Sequence, residues 1–283
     1  MSITLILMLI VIGAAVGLLT AVFGVGGGFL LVPALTKLIG LPFDAAATLS
    51  LCFIMGASLS GLYLKIKLGD FDKKVLVYTL PTAVAGVILG DIIKDSIKNH
   101  LGNDIDIFNH TMMLIFAIFL ILIAFIILYD VLSKSNPKLS LFFRLKPLVA
   151  LNPPAPSVSL ISLLFCGLAV GFLSGLLGVG GGIIFIPLLV MGMKMPLNKA
   201  AGTSLGLVFI IAFIGIIKKG LPNDLHVSLI MLALLLIGSF IGIRGGIVFA
   251  KKQNDKTLKM LFSMLVFIMS LLIIISEYMY SNF

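Results

Sequence analysis

Residues 17–51, GLLTAVFGVGGGFLLVPALTKLIGLPFDAAATLSL, realign without a gap on residues 171–205, GFLSGLLGVGGGIIFIPLLVMGMKMPLNKAAGTSL, at a constant offset of 154. Fourteen of these 35 positions are identical, among them all of Gly24-Val25-Gly26-Gly27-Gly28 against Gly178-Val179-Gly180-Gly181-Gly182. Pro33 matches Pro187, Pro42 matches Pro196, and Ser50 matches Ser204. Glycine breaks at corresponding places in two apolar halves are the pattern of a binding site held between repeats in a membrane.

The composition agrees. Of the 283 residues, 60% are hydrophobic and only 11% are charged, against about 25% charged in a typical soluble domain. Apolar runs of the ~20 residues that a helix needs to cross a bilayer recur along the chain. The fold class expected is all-α: a polytopic integral membrane protein with about eight transmembrane helices, embedded in a lipid bilayer. The net charge of +9 does not imply a nucleic-acid partner. The lysines sit in short loops between apolar spans, and no basic patch is interleaved with aromatics. The first 20 residues lack a basic leader and a cleavage signature, so they read as the first membrane helix.

Long apolar segments cover roughly 3–23, 45–64, 75–93, 111–129, 158–177, 199–217, 226–249 and 259–280. Two shorter stretches, 29–41 and 183–193, follow the glycine runs and are too short to span comfortably, so they read as broken, re-entrant half-helices. Residues 133–157 are proline-rich and basic, giving a first repeat over 1–132, a linker over 133–157 and a second repeat over 158–283.

Loop charges bear on topology. If each glycine-broken unit crosses once, the 20 basic residues divide ten and ten between the faces. If each unit reverses, they divide fifteen and five, with Lys218 and Lys219 as the main exceptions on the poorer face. The second division is the oriented one. Each half then crosses an odd number of times, so the repeats are inverted relative to each other.

Four glycines in five residues interrupt a helix, at about 1 kcal/mol each relative to alanine. Unpaired amides are costly in hydrocarbon, so such backbone survives where it packs on protein or lines a cavity. There the amides and the positive ends of helix dipoles favour an anion. The candidate substrate-binding residues are Gly24, Gly26, Gly27 and Gly28 with Gly178, Gly180, Gly181 and Gly182. Close helix packing through small residues is the competing role. Beyond the half-helices lie Thr48 and Ser50 in the first copy and Thr203 and Ser204 in the second. These hydroxyls either bond back to a carbonyl of their own helix or complete the anion's coordination. Asp44 and Asn198 fit helix N-caps. Gly86 and Gly90 correspond loosely to Gly238 and Gly242 as tight helix contacts, and Asp91 and Arg244 near span ends fit snorkelling anchors. Cys52 and Cys166 fit buried packing positions.

Neither glycine run has a P-loop ending or a complete dinucleotide fingerprint. His100, His110 and His226 have no metal spacing, and no nucleophile–base pair is recognisable. No cofactor and no enzymatic activity are expected.

The paired Gly-x-Gly-Gly-Gly-x-x-x-x-Pro runs, Gly24–Pro33 and Gly178–Pro187, with the Ala201-Gly202-Thr203-Ser204-Leu205 segment, resemble the TauE/SafE family of sulfite exporters and sulfonate permeases. The first copy departs from it, reading Ala47-Thr48-Leu49-Ser50-Leu51. The resemblance implies a multi-pass permease of the bacterial inner (plasma) membrane for small anions such as sulfite, sulfonates or sulfoacetate. Without an ATP-binding element, its driving force would be a coupling proton, another ion gradient, or the substrate's own gradient. The reading from the residues is therefore an alternating-access anion transporter. A passive anion channel and a membrane-anchoring subunit that binds a partner protein are the alternatives. The sequence specifies no oligomeric state.

Overall fold

The computed structural model describes residues 3–101, 104–132, 148–149, 158–219 and 225–281. The first repeat contains α1 (Ile3–Phe23), the short α2 (Gly28–Leu38), α3 (Phe43–Lys67), α4 (Lys73–His100) and α5 (Ile105–Leu132). The second contains α6 (Leu160–Leu177), α7 (Gly182–Gly192), α8 (Leu197–Lys219), α9 (Leu225–Lys252) and α10 (Asp255–Ser281). Most of the linker lies outside the described residues. At its edges Leu148–Val149 (β1) pairs antiparallel with Val158–Ser159 (β2), a contact with no counterpart in the sequence reading. Among the described residues eight helices are long and apolar enough to cross a membrane, and α2 and α7 are the two short apolar ones. The polytopic all-α expectation is met.

The direction of each helix follows from its end contacts. A Cβ placed on Gly24, just past α1, would lie 2.5 Å from the Ala201 carbonyl oxygen in the first turns of α8. The start of α8 is tied to the end of α3, because Lys65 Nζ donates to Asn198 Oδ1 at 3.0 Å. So α1 ends at the face where α3 ends, while α2 leads within a few residues to the face where α3 begins. In the second repeat, a Cβ on Gly178 would lie 2.5 Å from Ala47 Cβ, near the start of α3. Meanwhile α7 leads back to the start of α8. Both broken units reverse, and they enter from opposite faces. The fifteen-to-five division of basic residues is therefore the one that applies, with the α3 start on the poorer face.

Four of the five basic residues of that poorer face are held by carboxylates: Lys37 by Glu277, Lys94 by Asp44 and Asp91, Lys98 by Asp44, and Lys218 by Asp91. The exception represented by Lys218 is thus charge-compensated.

The two repeats interlock. A Cβ on Gly238, Gly242 or Gly246 of α9 would run into the carbonyl oxygens of Ile10, Ala14 and Leu18 of α1. Residue numbers rise together, so the helices are parallel. In the same way Gly167, Gly171 and Gly175 of α6 abut the carbonyls of Thr79, Ala83 and Val87 of α4. Each repeat's first helix thus packs on the other repeat's helix, with glycine letting backbones approach to carbonyl contact. Gly86 and Gly90 meet Leu168 and Phe172, which are equivalent to Ala14 and Leu18. Their structural counterparts are therefore Gly242 and Gly246, one turn beyond the pair expected from sequence. Three glycines spaced by four make the register ambiguous in the sequence; packing resolves it.

Between these pairs, α3 and α8 cross antiparallel, with Leu205 Cδ1 2.9 Å from a Cβ on Gly61 and Leu51 Cδ1 3.1 Å from one on Gly215.

Candidate functional site

Both glycine breaks are built alike. The Gly24 amide closes the last turn of α1 on the Thr20 carbonyl (2.8 Å), and the Gly27 carbonyl accepts from Leu30 and Leu31 (both 3.1 Å) to open α2. Gly24, Gly26 and Gly27 have φ of 69°, 78° and 80°, the left-handed region that a side chain disfavours. In the second copy Gly178 closes on Ser174 (2.9 Å), and Gly181 accepts from Ile184 and Phe185. Gly178, Gly180 and Gly181 repeat the conformation at 69°, 76° and 69°.

The amides of Val25, Gly26, Gly27, Gly28 and Phe29, and of Val179, Gly180, Gly181, Gly182 and Ile183, have no acceptor among the described residues. All ten residues are buried. A buried donor left unpaired costs about 1–3 kcal/mol, and each helix N-terminus carries about half a positive charge. Two such termini offer an anion roughly one unit of positive charge together with directed N–H groups.

The two termini meet. A Cβ on Gly28 would lie 2.7 Å from the Val179 carbonyl oxygen, and one on Gly182 would lie 2.6 Å from that of Val25. Ile54 of α3 and Val208 of α8, equivalent by the repeat and both fully buried, fill the seam. Val208 Cγ1 comes within 2.7 Å of a Cβ on Gly26, and Ile54 and Val208 both contact the Gly180 position. The seam is closed.

The predicted hydroxyls separate into two kinds. Ser50 and Ser204 are fully buried, and their Oγ atoms have no hydrogen-bond partner among the described residues. Ser50 shares a helix face with Ile54, and Ser204 shares one with Val208, four residues apart in each case. Thr48 donates instead to the Asp44 carbonyl (2.8 Å). Thr203 donates to the Lys199 carbonyl (2.8 Å) and accepts from the Asp72 amide (2.9 Å). The structure also brings in Ser58, which the sequence reading missed. It is fully buried and unpartnered among the described residues, and its Oγ is 3.4 Å from a Cβ on Gly26. The available signal was the stripe Ser50–Ile54–Ser58, at i, i+4 and i+8.

Charged groups close the two faces. Asp44 and Asn198 are not side-chain caps. Pro42 precedes α3 with no side-chain cap, and the Phe43 amide is met by Asn109 Oδ1 of α5 at 2.9 Å. Asp44 reaches Lys94 (3.2 Å) and Lys98 (2.9 Å), and Asn198 accepts from Lys65. Proline before each helix occupies the position where a cap would sit, leaving the next polar residue free to bind across. Asp91, 6% exposed, is no snorkelling anchor but pairs with Lys94 (3.4 Å) and Lys218 (2.8 Å). Arg244 lies over the Phe240 ring, 4.5 Å from its centroid. On the basic face Lys199 pairs with buried Asp72 at 3.4 Å. Cys52 and Cys166 are free and buried. Among the described residues no three His, Cys, Asp or Glu side chains converge as metal ligands would.

Comparison with known proteins identifies the relatives of this arrangement. The profile of the family described as Sulfite exporter TauE/SafE matches residues 9–273, across both broken units. The chain belongs to the TauE/SafE family. It is 27% identical over 290 residues, covering 95% of each chain, to a "probable membrane transporter protein" of Methanocaldococcus jannaschii. It is 25% identical over 264 residues to the "probable membrane transporter protein YunE" of Bacillus subtilis, covering 89% of this chain and 91% of that one. A TauE/SafE family protein 3 of Arabidopsis thaliana, named a sulfite exporter, matches at 36% over 94 residues, 29% of this chain and 19% of its own. No solved structure matches. TauE/SafE membership and the helical architecture make the chain a multi-pass membrane transporter.

Proposed function

We propose that this protein is a secondary transporter for small anions, with sulfite and sulfonates as the substrate class, working by alternating access at the seam between the two glycine breaks. It moves its substrate without chemically changing it. The carrying observation is the convergence of two buried helix N-termini, ten amides without acceptors among the described residues, with the unpartnered hydroxyls of Ser50, Ser58 and Ser204. This set donates hydrogen bonds and offers about one positive charge, which suits a tetrahedral or pyramidal oxyanion. The family name given to the relatives supports the sulfur oxyanions. The inverted repeats support a site reachable from either face. Ile54 and Val208, filling the seam, favour a gated carrier over a standing pore.

The basic face lies in the cytoplasm by the positive-inside rule, and a bacterial inner membrane is the setting we propose. Reconstituted into proteoliposomes, the protein is expected to carry sulfite, sulfoacetate or toluenesulfonate with saturable kinetics. Flux that never saturates and ignores every imposed gradient would overturn the carrier.

A further inference from the structure

A second polar site lies away from the seam, at the face where α3 begins. A cavity of about 500 Å³ opens among the end of α2, the start of α5 and the end of α10, lined by Thr36, Lys37, Asp106, Asn109, His110 and Glu277 among others. Glu277, in the last turns of α10, is only 2% exposed. His110 Nδ1 is 2.5 Å from its Oε2, and Lys37 Nζ is 2.5 Å from its Oε1, outside hydrogen-bonding angles. A carboxylate at this depth needs such partners to remain charged. The charged or titratable groups facing it are Lys37 from α2 and His110 and Asp106 from α5; Asp106 is exposed at the rim.

Lys37 occupies the last turn of α2, and the first residues of α2 carry the Gly28 and Phe29 amides of the seam. One helix of 11 residues therefore joins the two sites. Lys37 and His110 thus share one nearly buried carboxylate, and a proton arriving there competes with Lys37 for it. Lys37 lines the adjoining cavity and sits in the last turn of α2, so whatever loosens it from Glu277 also loosens the end of that helix.

We propose that Glu277 and His110 form the proton-binding site that couples transport to a proton gradient, with α2 transmitting protonation to the anion site. This rests on the carrier reading above. Coupling is reciprocal: a proton that shifts α2 alters anion affinity, and a bound anion alters proton affinity by the same factor.

Two measurements on the full-length protein in lipid test it. Amide exchange of residues 28–38, corrected for its intrinsic pH dependence, needs no substrate. Wild-type α2 is expected to lose protection several-fold on going from about pH 8 to about pH 5, the range in which histidine-linked sites titrate. Glu277→Gln should hold α2 in the poorly protected state at every pH, and His110→Gln should flatten the profile independently. In proteoliposomes, sulfoacetate should accumulate under an imposed proton gradient with wild type. Accumulation should fall tenfold or more with either variant, and counterflow should lose its pH dependence. Wild-type α2 exchange that is flat with pH, or Glu277→Gln protein that still accumulates like wild type, overturns the proton site. Saturable wild-type flux indifferent to the proton gradient overturns the coupling while leaving anion transport intact. An α2 that responds to pH in a protein carrying no anion leaves the proton site standing and removes the carrier reading instead.

Discussion

Lys218 Nζ lies 2.8 Å from Asp91 Oδ2, joining the end of α8 in the second repeat to α4 in the first. Asp91 is nearly buried, whereas the Lys218 side chain is 37% exposed. Replacing Lys218 with methionine removes the 2.8 Å partner of this nearly buried carboxylate. Because Lys218 is partly solvated, the expected cost is about 1–2 kcal/mol rather than the 3–5 of a fully buried pair. Thermal unfolding in detergent measures it, and an Asp91→Asn/Lys218→Met double-mutant cycle should return a coupling of similar size.

Gly24 and Gly40 both have positive φ, +69° and +78°, but only Gly24 is crowded, with the Ala201 backbone against its Cβ position; Gly40 has nothing within 4 Å. Gly40→Ala is expected to cost about 1–2 kcal/mol from backbone strain alone. Gly24→Ala should cost clearly more, because helix backbone cannot give way as a side chain can. Equal melting temperatures for the two variants would contradict this packing.

Replacing Gly27 or Gly181 with leucine is expected to abolish anion flux while leaving membrane insertion intact. A side chain at Gly27 meets Thr20 Oγ1 at 2.9 Å and the Val16 side chain, and one at Gly181 meets Val170. Wild-type flux in both variants would remove the breaks from the transport path.

Serine and threonine substitutions should divide by phenotype. Ser50→Ala, Ser58→Ala and Ser204→Ala remove hydroxyls with no protein partner among the described residues, so stability should hold. The apparent KM for the anion should rise about tenfold, the worth of one hydrogen bond to a charged group. Thr203→Ala removes the acceptor of the Asp72 amide and is expected to cost about 1 kcal/mol of stability. Kinetics and melting curves on the same four preparations give the comparison.

Topology is open to direct labelling. In a background lacking Cys52 and Cys166, Asp106→Cys should react with an impermeant maleimide in intact cells, and Lys256→Cys only after permeabilisation. The reverse pattern would invert the orientation.

Much of the fold was legible because its signals are local. The span Ile3–Phe23 matches its apolar run in the sequence, and α2 and α7 fall on the stretches too short to span. A glycine run cannot hide in a helix, so both breaks are visible. Helices α4 and α5 extend beyond their apolar cores because polar ends such as Asp91–His100 continue the helix while pairing outside hydrocarbon, which hydropathy does not register. The site was legible only in part. Ser50 and Ser204 are buried one helical turn before Ile54 and Val208, Thr48 and Thr203 hydrogen-bond elsewhere, and Ser58 was absent from the reading because it has no counterpart in the other repeat.

The sequence by itself determined the helical class, the duplication, the two breaks and, through its basic residues, the reversal of each broken unit. These are properties of single segments and their order. Only the tertiary structure decided that α1 packs on α9 and α6 on α4, that Gly86 answers to Gly242, that Asp44 and Asn198 bind lysines rather than cap helices, and that Glu277 meets His110 and Lys37. Several apolar faces carry small residues at the same spacing and several lysines could meet each carboxylate. Choosing among them depends on simultaneous close packing of the ten described helices, which no single segment encodes.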